Sequence, residues 1–569
     1  MKNYFLSPIS SLFLVILLFS NTFTIFAQKA QLVTKPADWE IKVDSILQKN
    51  TQNQDLGITV GITQNGKLIH HNYTGFANLE YQVPFNDSTV FGLASVTKQF
   101  TAACIAILEK QQLLSVEDDV RKYIPELLFY GDTIRIKHLL NHTSGIRNHN
   151  ILLSLQGFDY EHRGYTNEMI EKLMFRQRGI NNRAGQKMLY SNTNYVFLAL
   201  IIERVSKQTI SEFAKKEIFE PLGMNDTFYQ NDLETIIPNK ACGYYFDGKI
   251  YKHPKSLTLC VGAGGIETTI SDMSKWSKIF LDETHKFSYI SKFLTTKDAL
   301  NDGSLITQAR GIFVWEFEGD TLVAHGGRDI GMRSYFVCIP KRKISIMVYT
   351  NSEHINAQGI AFDILEVMTG QKESKKNKEK NVYQHSKEEL KLFLGSYQEL
   401  NSDLLMDFFL ENDTLKVKTN MGKNAISLLT DSENTFYRIH ARNVVYSFYN
   451  TSEKNSNADM DLSVNFGGGI FYFEKVNLFA EEKINKDDYL GKFYSEELDV
   501  TYHILKNNEE LILSFPNNEH IELSSRRKDE FGTNQRMRLS FQRNKQGKIQ
   551  TFKVAAEGTV KDILFERIN

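Results

Sequence analysis

The chain has 569 residues, 41% of them hydrophobic and 24% charged, with a formal charge of -1. This is ordinary globular composition, long enough for about three domains at roughly 150 residues each. The near-neutral balance leaves no single-sign excess to hold a nucleic acid or coat a membrane surface, and aromatics at 12%, mostly Phe (39) and Tyr (25), point to extensive β-structure.

Residues 1–27 read as a signal peptide. Lys2 supplies the positive end, residues 9–19 are apolar apart from Ser10 and Ser11, and small Ala27 offers a cleavage point before Gln28. The apolar run is shorter than the roughly 20 residues a spanning helix needs. The expectation is therefore a secreted or periplasmic protein with no stable membrane span after processing. Removal of Lys2 would take the mature charge from -1 to -2.

The pattern over 37–49 suits an opening helix. Residues 56–63 and 67–73 read as strands either side of Asn65-Gly66, a strong hairpin signal. Residues 99–109 form a helix that is apolar almost all round, which places it in the middle of a domain. Helical periodicity runs over 195–219 until Pro221-Leu222-Gly223 stops it. Residues 334–338 and 344–349 are apolar runs joined by Pro340-Lys341-Arg342-Lys343, a second hairpin. Residues 356–369 read as a closing helix with Gly370 just beyond. Hairpins near both ends with helices between predict one α+β domain over 38–370, whose antiparallel sheet joins strands from both ends and is flanked by helices.

A charged linker follows over 371–385, with Lys372, Lys375, Lys376, Lys378 and Lys380 packed together. The remainder reads as short strands, and it repeats. Leu394-Gly395-Ser396-Tyr397 matches Leu490-Gly491-Lys492-Phe493 at an offset of 96, and the offset holds onward from Glu411 and Asn507. A fixed period predicts two copies of one unit, two small antiparallel β-barrel-like domains over 386–480 and 485–569.

The cysteines Cys104, Cys242, Cys260 and Cys338 fit no zinc or thioredoxin spacing. Cys104 and Cys338 look like buried core thiols, and Cys242 with Cys260 is the one pair worth testing for a disulfide in an exported chain.

Three elements carry chemistry. In Ser95-Val96-Thr97-Lys98 the serine and lysine are one helical turn apart, so the amine can reach the hydroxyl. A serine needs a base to become a nucleophile, and burial can lower a lysine's pKa enough to make it one. As spacing alone this is weak: about two such hits are expected by chance in a chain this long, and Ser525 with Lys528 is another. Ser95 differs in opening a buried helix. In Tyr190-Ser191-Asn192 the phenol can relay protons and the amide can orient Lys98 or a substrate carbonyl. In His325-Gly326-Gly327, on an expected edge of the sheet, glycines let a substrate backbone approach and a main-chain N–H face an oxyanion. His138 and His142 are four apart, but no glutamate lies between them; no metal site and no cofactor are expected.

In this order within one domain, these elements resemble the β-lactamase-related serine hydrolases: class C β-lactamases, penicillin-binding proteins, D-aminopeptidases and esterases. Leu139 to Gly145, Pro221-Leu222-Gly223-Met224 and Gly262 to Ile266 followed by Ser271-Asp272-Met273 extend the likeness, and the β-domains resemble the C-terminal barrels of D-aminopeptidase-like members. The resemblance implies Ser95 as acyl-enzyme nucleophile, Lys98 as its base, Tyr190 as proton relay and Asn192 as substrate contact. It places His325 and Gly327 on the third motif, with an oxyanion hole from backbone N–H groups of Ser95 and a residue near Gly327. Where the family often has lysine, His325 is only partly charged near neutral pH. The implied substrate is a peptide or amide containing D-amino acids, cell-wall-derived ones among them, or a small ester. The alternatives are a weak β-lactamase and a non-turnover penicillin-binding sensor whose β-domains dock a partner. Oligomeric state is left open.

Overall fold

The computed structural model of the protein describes residues 37–370, apart from 52–55, 161 and 318, and residues 383–568, apart from 401, 421, 423, 431, 439–440, 450–460, 466–469 and 478–483. The expected signal peptide lies outside the described residues, as does most of the expected linker.

Helix α1 (Asp38–Thr51) leads into strands β1 (Ile58–Gln64) and β2 (Lys67–Thr74). The turn between the strands places both Asn65 and Gly66 at positive φ, 51° and 71°, the backbone that matches the twist of a tight hairpin. Four later strands complete the sheet: β3 (Phe313–Phe317), β4 (Asp320–Asp329), β5 (Met332–Ile339) and β6 (Ile344–Thr350). The order is β3-β4-β5-β6-β1-β2. Strand β6 pairs antiparallel with β1 from Ile344↔Gln64 to Thr350↔Ile58, so the two ends of the segment close one sheet. Every residue of β6 is buried, because the sheet is covered on both faces. Helix α1 and the closing helix Ala357–Thr369 pack on one face, around Ile58, Ile346 and Ile364. The helical body packs on the other, with Met273, Trp276 and Phe336 at the contact.

Within that body, α2 (Lys98–Lys110) is buried from Lys98 to Leu108 and α3 (Asn192–Ser206) from Thr193 to Ile202. The long helix expected over 195–219 is interrupted. Lys207 turns left-handed at φ 61° and ends α3, then Thr209 and Glu212 form a capping box that starts a short helix, Ile210–Ala214. Thr-x-x-Glu is an N-terminal signal in its own right, and it overrides the apolar period.

Past 383 the chain is strand-rich. Eight strands from Gly395–Glu399 to Ile470–Val476 close a barrel, and nine from Gly491–Ser495 to Val560–Ile568 form one antiparallel sheet. The repeat shows in the geometry: Thr414–Thr419 and Glu510–Phe515 lie at the same offset of 96. Ser525 sits in a strand of the second unit, Ser524–Arg527, rather than at a helix start. All four cysteines are free thiols, so Cys242 and Cys260 are unpaired, and Cys104 and Cys338 are core residues. No helix among the described residues is long and apolar enough to cross a membrane.

Candidate active site

Ser95 stands in a single 3-10 turn, Ala94–Thr97, that runs directly into α2. The turn is entered through Ala94 at φ 47°, a left-handed conformation that disfavours a side chain and is stored where surrounding contacts enforce it. Two contacts do so here: Leu93 N–H donates to Ile266 O at 2.8 Å, and Ser334 Oγ donates to Leu93 O at 2.8 Å. Strand β4 presses against the same turn. A Cβ at Gly327 would fall 2.1 Å from Ser334 Oγ and 2.3 Å from Leu93 O, so this position accepts only glycine. Beyond Ala324, β4 outruns β3, and residues 325–329 pair only with β5. The His-Gly-Gly segment thus has one open edge although its strand lies inside the sheet.

Lys98, fully buried, is the hub. Its Nζ lies 3.1 Å from Ser95 Oγ, 2.8 Å from Asn192 Oδ1 and 2.7 Å from Ala263 O. It also lies 5.1 Å from the Tyr190 ring centre and 5.5 Å from that of Tyr195. Burial disfavours the ammonium and pulls Lys98 down to about 7. Two carbonyl oxygens, on Asn192 and Ala263, can only accept, so they claim the two hydrogens of a neutral amine. Its lone pair is then left facing the Ser95 hydroxyl.

Tyr190 is raised by burial, a rise partly opposed by its hydrogen bond to Ser95; it stays a phenol. Its ring stacks on His142 at 4.1 Å between centres. His142 Nδ1 accepts from Ser191 N at 3.2 Å, which puts its proton on Nε2. Asn192 is held by a second amide, its Nδ2 donating to Asn150 Oδ1 at 2.7 Å.

His325 differs from expectation. It is 3% exposed, and burial, with the Lys98 charge behind it, brings it down to about 3, so it is neutral near pH 7. Its Nδ1–H donates to Gly326 O at 2.7 Å and its Nε2 has no partner. The partly charged imidazole read from the sequence is thus corrected: it lacks the solvent that would stabilise an imidazolium. Arg328 is exposed, whereas Arg333 is engaged with Asp329 O at 2.9 Å and Glu353 at 3.7 Å.

A cleft of about 490 Å³ opens beside the nucleophile, lined by Ser95, Asn150, Asn192, Lys240, Glu267 and Met332 among others. Ser95 and Asn192 therefore line the cleft, Tyr190, hydrogen-bonded to Ser95, is half-buried beside them, and Lys98, His325 and Gly327 are buried. Sequence reasoning missed Asn150, the Ala263 carbonyl and the stacking role of His142. Asn150 has no spacing relation to Asn192, and a main-chain oxygen leaves no side-chain signal.

For metals, His138 and His142 do not share a helix. His138 Nδ1 accepts from Arg135 N at the start of Ile136–Leu140, and His142 lies past its end at φ 59°. Among the described residues one trio of donor types converges, Glu80, Cys242 and His253. Its members are already engaged: His253 Nδ1 with Glu80 at 2.8 Å, Asn78 Nδ2 with Cys242 Sγ at 3.3 Å, and Tyr244 with Glu80. Burial pushes the Cys260 thiol up to about 12, which keeps it protonated and inert.

The model of the Beta-lactamase family matches residues 43–366. Penicillin-binding protein 4* of Bacillus subtilis (strain 168) is 30% identical over 313 residues, which take in 52% of this chain and 68% of that protein. Protein flp of Staphylococcus aureus (strain MRSA252) is 26% identical over 340 residues, 56% of this chain and 66% of its own length. Among solved structures, the octameric penicillin-binding protein homologue from Pyrococcus abyssi matches with a TM-score of 0.54 at 22% identity, over 85% of this chain and 99% of that one. The D-amino acid amidase of Ochrobactrum anthropi SV3 complexed with L-phenylalanine amide matches at 0.50 and 22%, over 59% and 99%. At these identities the structural likenesses establish the fold.

Proposed function

The chain belongs to the β-lactamase family of serine hydrolases, and from that premise we propose that it hydrolyses amides or peptides containing D-amino acids, or small esters, through an acyl-enzyme on Ser95. The observation that carries the mechanism is Lys98: buried, brought down to about 7, with two of its three hydrogen-bonding directions taken by carbonyl oxygens and the third aimed at Ser95.

Ser95 Oγ attacks the substrate carbonyl carbon as its proton passes to Lys98 Nζ. The carbonyl oxygen gathers the charge, met by backbone N–H groups of Ser95 and a residue near Gly327. On collapse the C–N or C–O bond breaks, and the leaving atom takes a proton from the Tyr190 hydroxyl, which is refilled from Lys98. Water then enters by the reverse relay and frees the acid. Asn192 keeps Lys98 oriented and reaches the substrate from the cleft wall.

A neutral His325 offers no cation for a substrate carboxylate. That favours amides and esters over a carboxypeptidase substrate ending in a free carboxylate. Export by the 1–27 segment belongs to the same reading; a mature N-terminus at Gln28, found by mass spectrometry of protein from the native host, is the expected result.

The test is covalent labelling. A fluorophosphonate probe should label the wild type and fail on Ser95→Ala; undiminished labelling of the variant removes Ser95 as nucleophile. A substrate screen with D-amino-acid amides, their L-enantiomers, p-nitrophenyl esters and nitrocefin then separates amidase, esterase and β-lactamase.

A further inference from the structure

We infer that Glu267 forms a subsite for a primary ammonium group of the substrate, beside the nucleophile. The inference rests on acyl transfer at Ser95 and names the substrate class for that site: amides or esters with a free amine.

Glu267 lies in the short strand Ile266–Thr268, paired with Phe91–Gly92. Its partner in register, Gly92, is three residues before Ser95. A Cβ there would meet Glu267 Oε1 at 3.6 Å and Oε2 at 3.9 Å, so the carboxylate lies against a bare glycine in the segment that leads into the nucleophile's turn. The side chain is 8% exposed, and it lines the same cleft as Ser95 and Asn192.

The two carboxylate oxygens are not equivalent. Oε1 accepts from Lys240 Nζ at 2.7 Å, whereas Oε2 is buried with no partner. Lys240 is also bonded to Gln230 Oε1 at 2.7 Å, which fixes it on the Oε1 side. Burial raises the Glu267 carboxyl, Lys240 opposes the rise, and the nearby Asp329 carboxylate adds to it. The unpartnered oxygen of a carboxylate that lines a cleft is satisfied by a charged donor, and an ammonium brings three N–H groups and a positive charge. Lys255 and Arg328 line the same cleft, but both are exposed, where solvent and salt screen them.

The alternative, that Glu267 and Lys240 are only a wall-building ion pair, makes a different prediction. The experiment measures how well two ligands protect Ser95 from fluorophosphonate: D-alanine amide, and N-acetyl-D-alanine amide, which lacks the charge. It is run on the wild type and on Glu267→Gln. The wild type should be protected at least tenfold better by the free amine, and that ratio should collapse towards one in Glu267→Gln. Equal protection of the wild type by both ligands, or a ratio unchanged by the substitution, overturns the subsite. If Glu267→Gln does not fold, a wild-type ratio near one still overturns the subsite. Labelling that persists in Ser95→Ala overturns the catalytic reading instead, and the subsite with it. The protection readout needs no turnover, so absence of amide hydrolysis does not blur the two.

Discussion

At Lys98, hydrogen bonding and protonation are one problem. Burial without an anionic partner favours the amine, and the amine is the form a general base requires. Acylation, followed as kcat/KM, should therefore rise with pH through about 7 and then level, one proton being lost; a limb centred near the ordinary lysine value, about 10.4, would show that burial does not set the base. The linkage has the matching sign. Because folded Lys98 titrates below its unfolded value, the unfolded chain holds more protons between about pH 7 and 10.4, so this residue's contribution to stability improves as pH rises across that window. Lys98→Ala should lower kcat/KM by about 10² to 10⁴. His325 gives the contrasting profile. Held neutral down to about 3, it should leave KM flat between pH 6 and 8 (a span around the reference value of about 6.5); a KM rising across that range would restore a charged imidazole at the substrate. Ser95, Lys98, Tyr190 and Asn192 were legible because each is a side chain in a short motif. The charge on His325 was not, since it depends on what covers the ring.

At the scale of elements, the site is where a turn and a strand are forced together. The 3-10 turn at Ser95 opens a buried helix, β4 supplies Gly327 against Leu93 O, and the strand Ile266–Thr268 holds the turn from the side. Gly327→Ala should force these apart: destabilisation of about 1–3 kcal/mol from overpacking, with a larger loss in the rate of Ser95 labelling than in thermal stability. Labelling at the wild-type rate would show that the contact is not part of the site's geometry. The hairpins, the helix behind Ser95 and the joining of both chain ends in one sheet could be read from period, turn chemistry and apolar runs. The break at Lys207 was hidden by an apolar period that continued across it. The register that leaves residues 325–329 with an open edge is a pairing property that no local pattern encodes.

For the whole molecule, the feature least visible in the sequence is how the last β-unit joins the site. Its core residues, Tyr502, Phe515 and Phe565 among them, belong to the same apolar cluster as Leu152, Phe197 and Leu198. Arg147, 1% exposed, reaches across to Glu497 Oε2 at 2.6 Å and Lys561 O at 2.7 Å, and within its own domain bonds Gln177 Oε1 at 2.9 Å. Glu497 also accepts from Arg178 N at 2.7 Å. On its other side, Arg147 O accepts from Ser191 Oγ at 3.3 Å and Thr193 Oγ1 at 2.8 Å, and Asn150, three residues on, holds Asn192. A carboxylate from the C-terminal unit thus buttresses the segment that positions the Lys98 partner. Removing one member of a buried pair strands the other, at a cost of about 3–5 kcal/mol. Glu497→Ala should therefore lower the melting temperature of the whole chain in a single transition and slow Ser95 labelling, while Glu497→Gln, which can still accept from Arg147, should do less of both. If calorimetry shows the C-terminal unit melting alone and labelling is untouched, the β-units are appended modules and the buttress plays no part in the site.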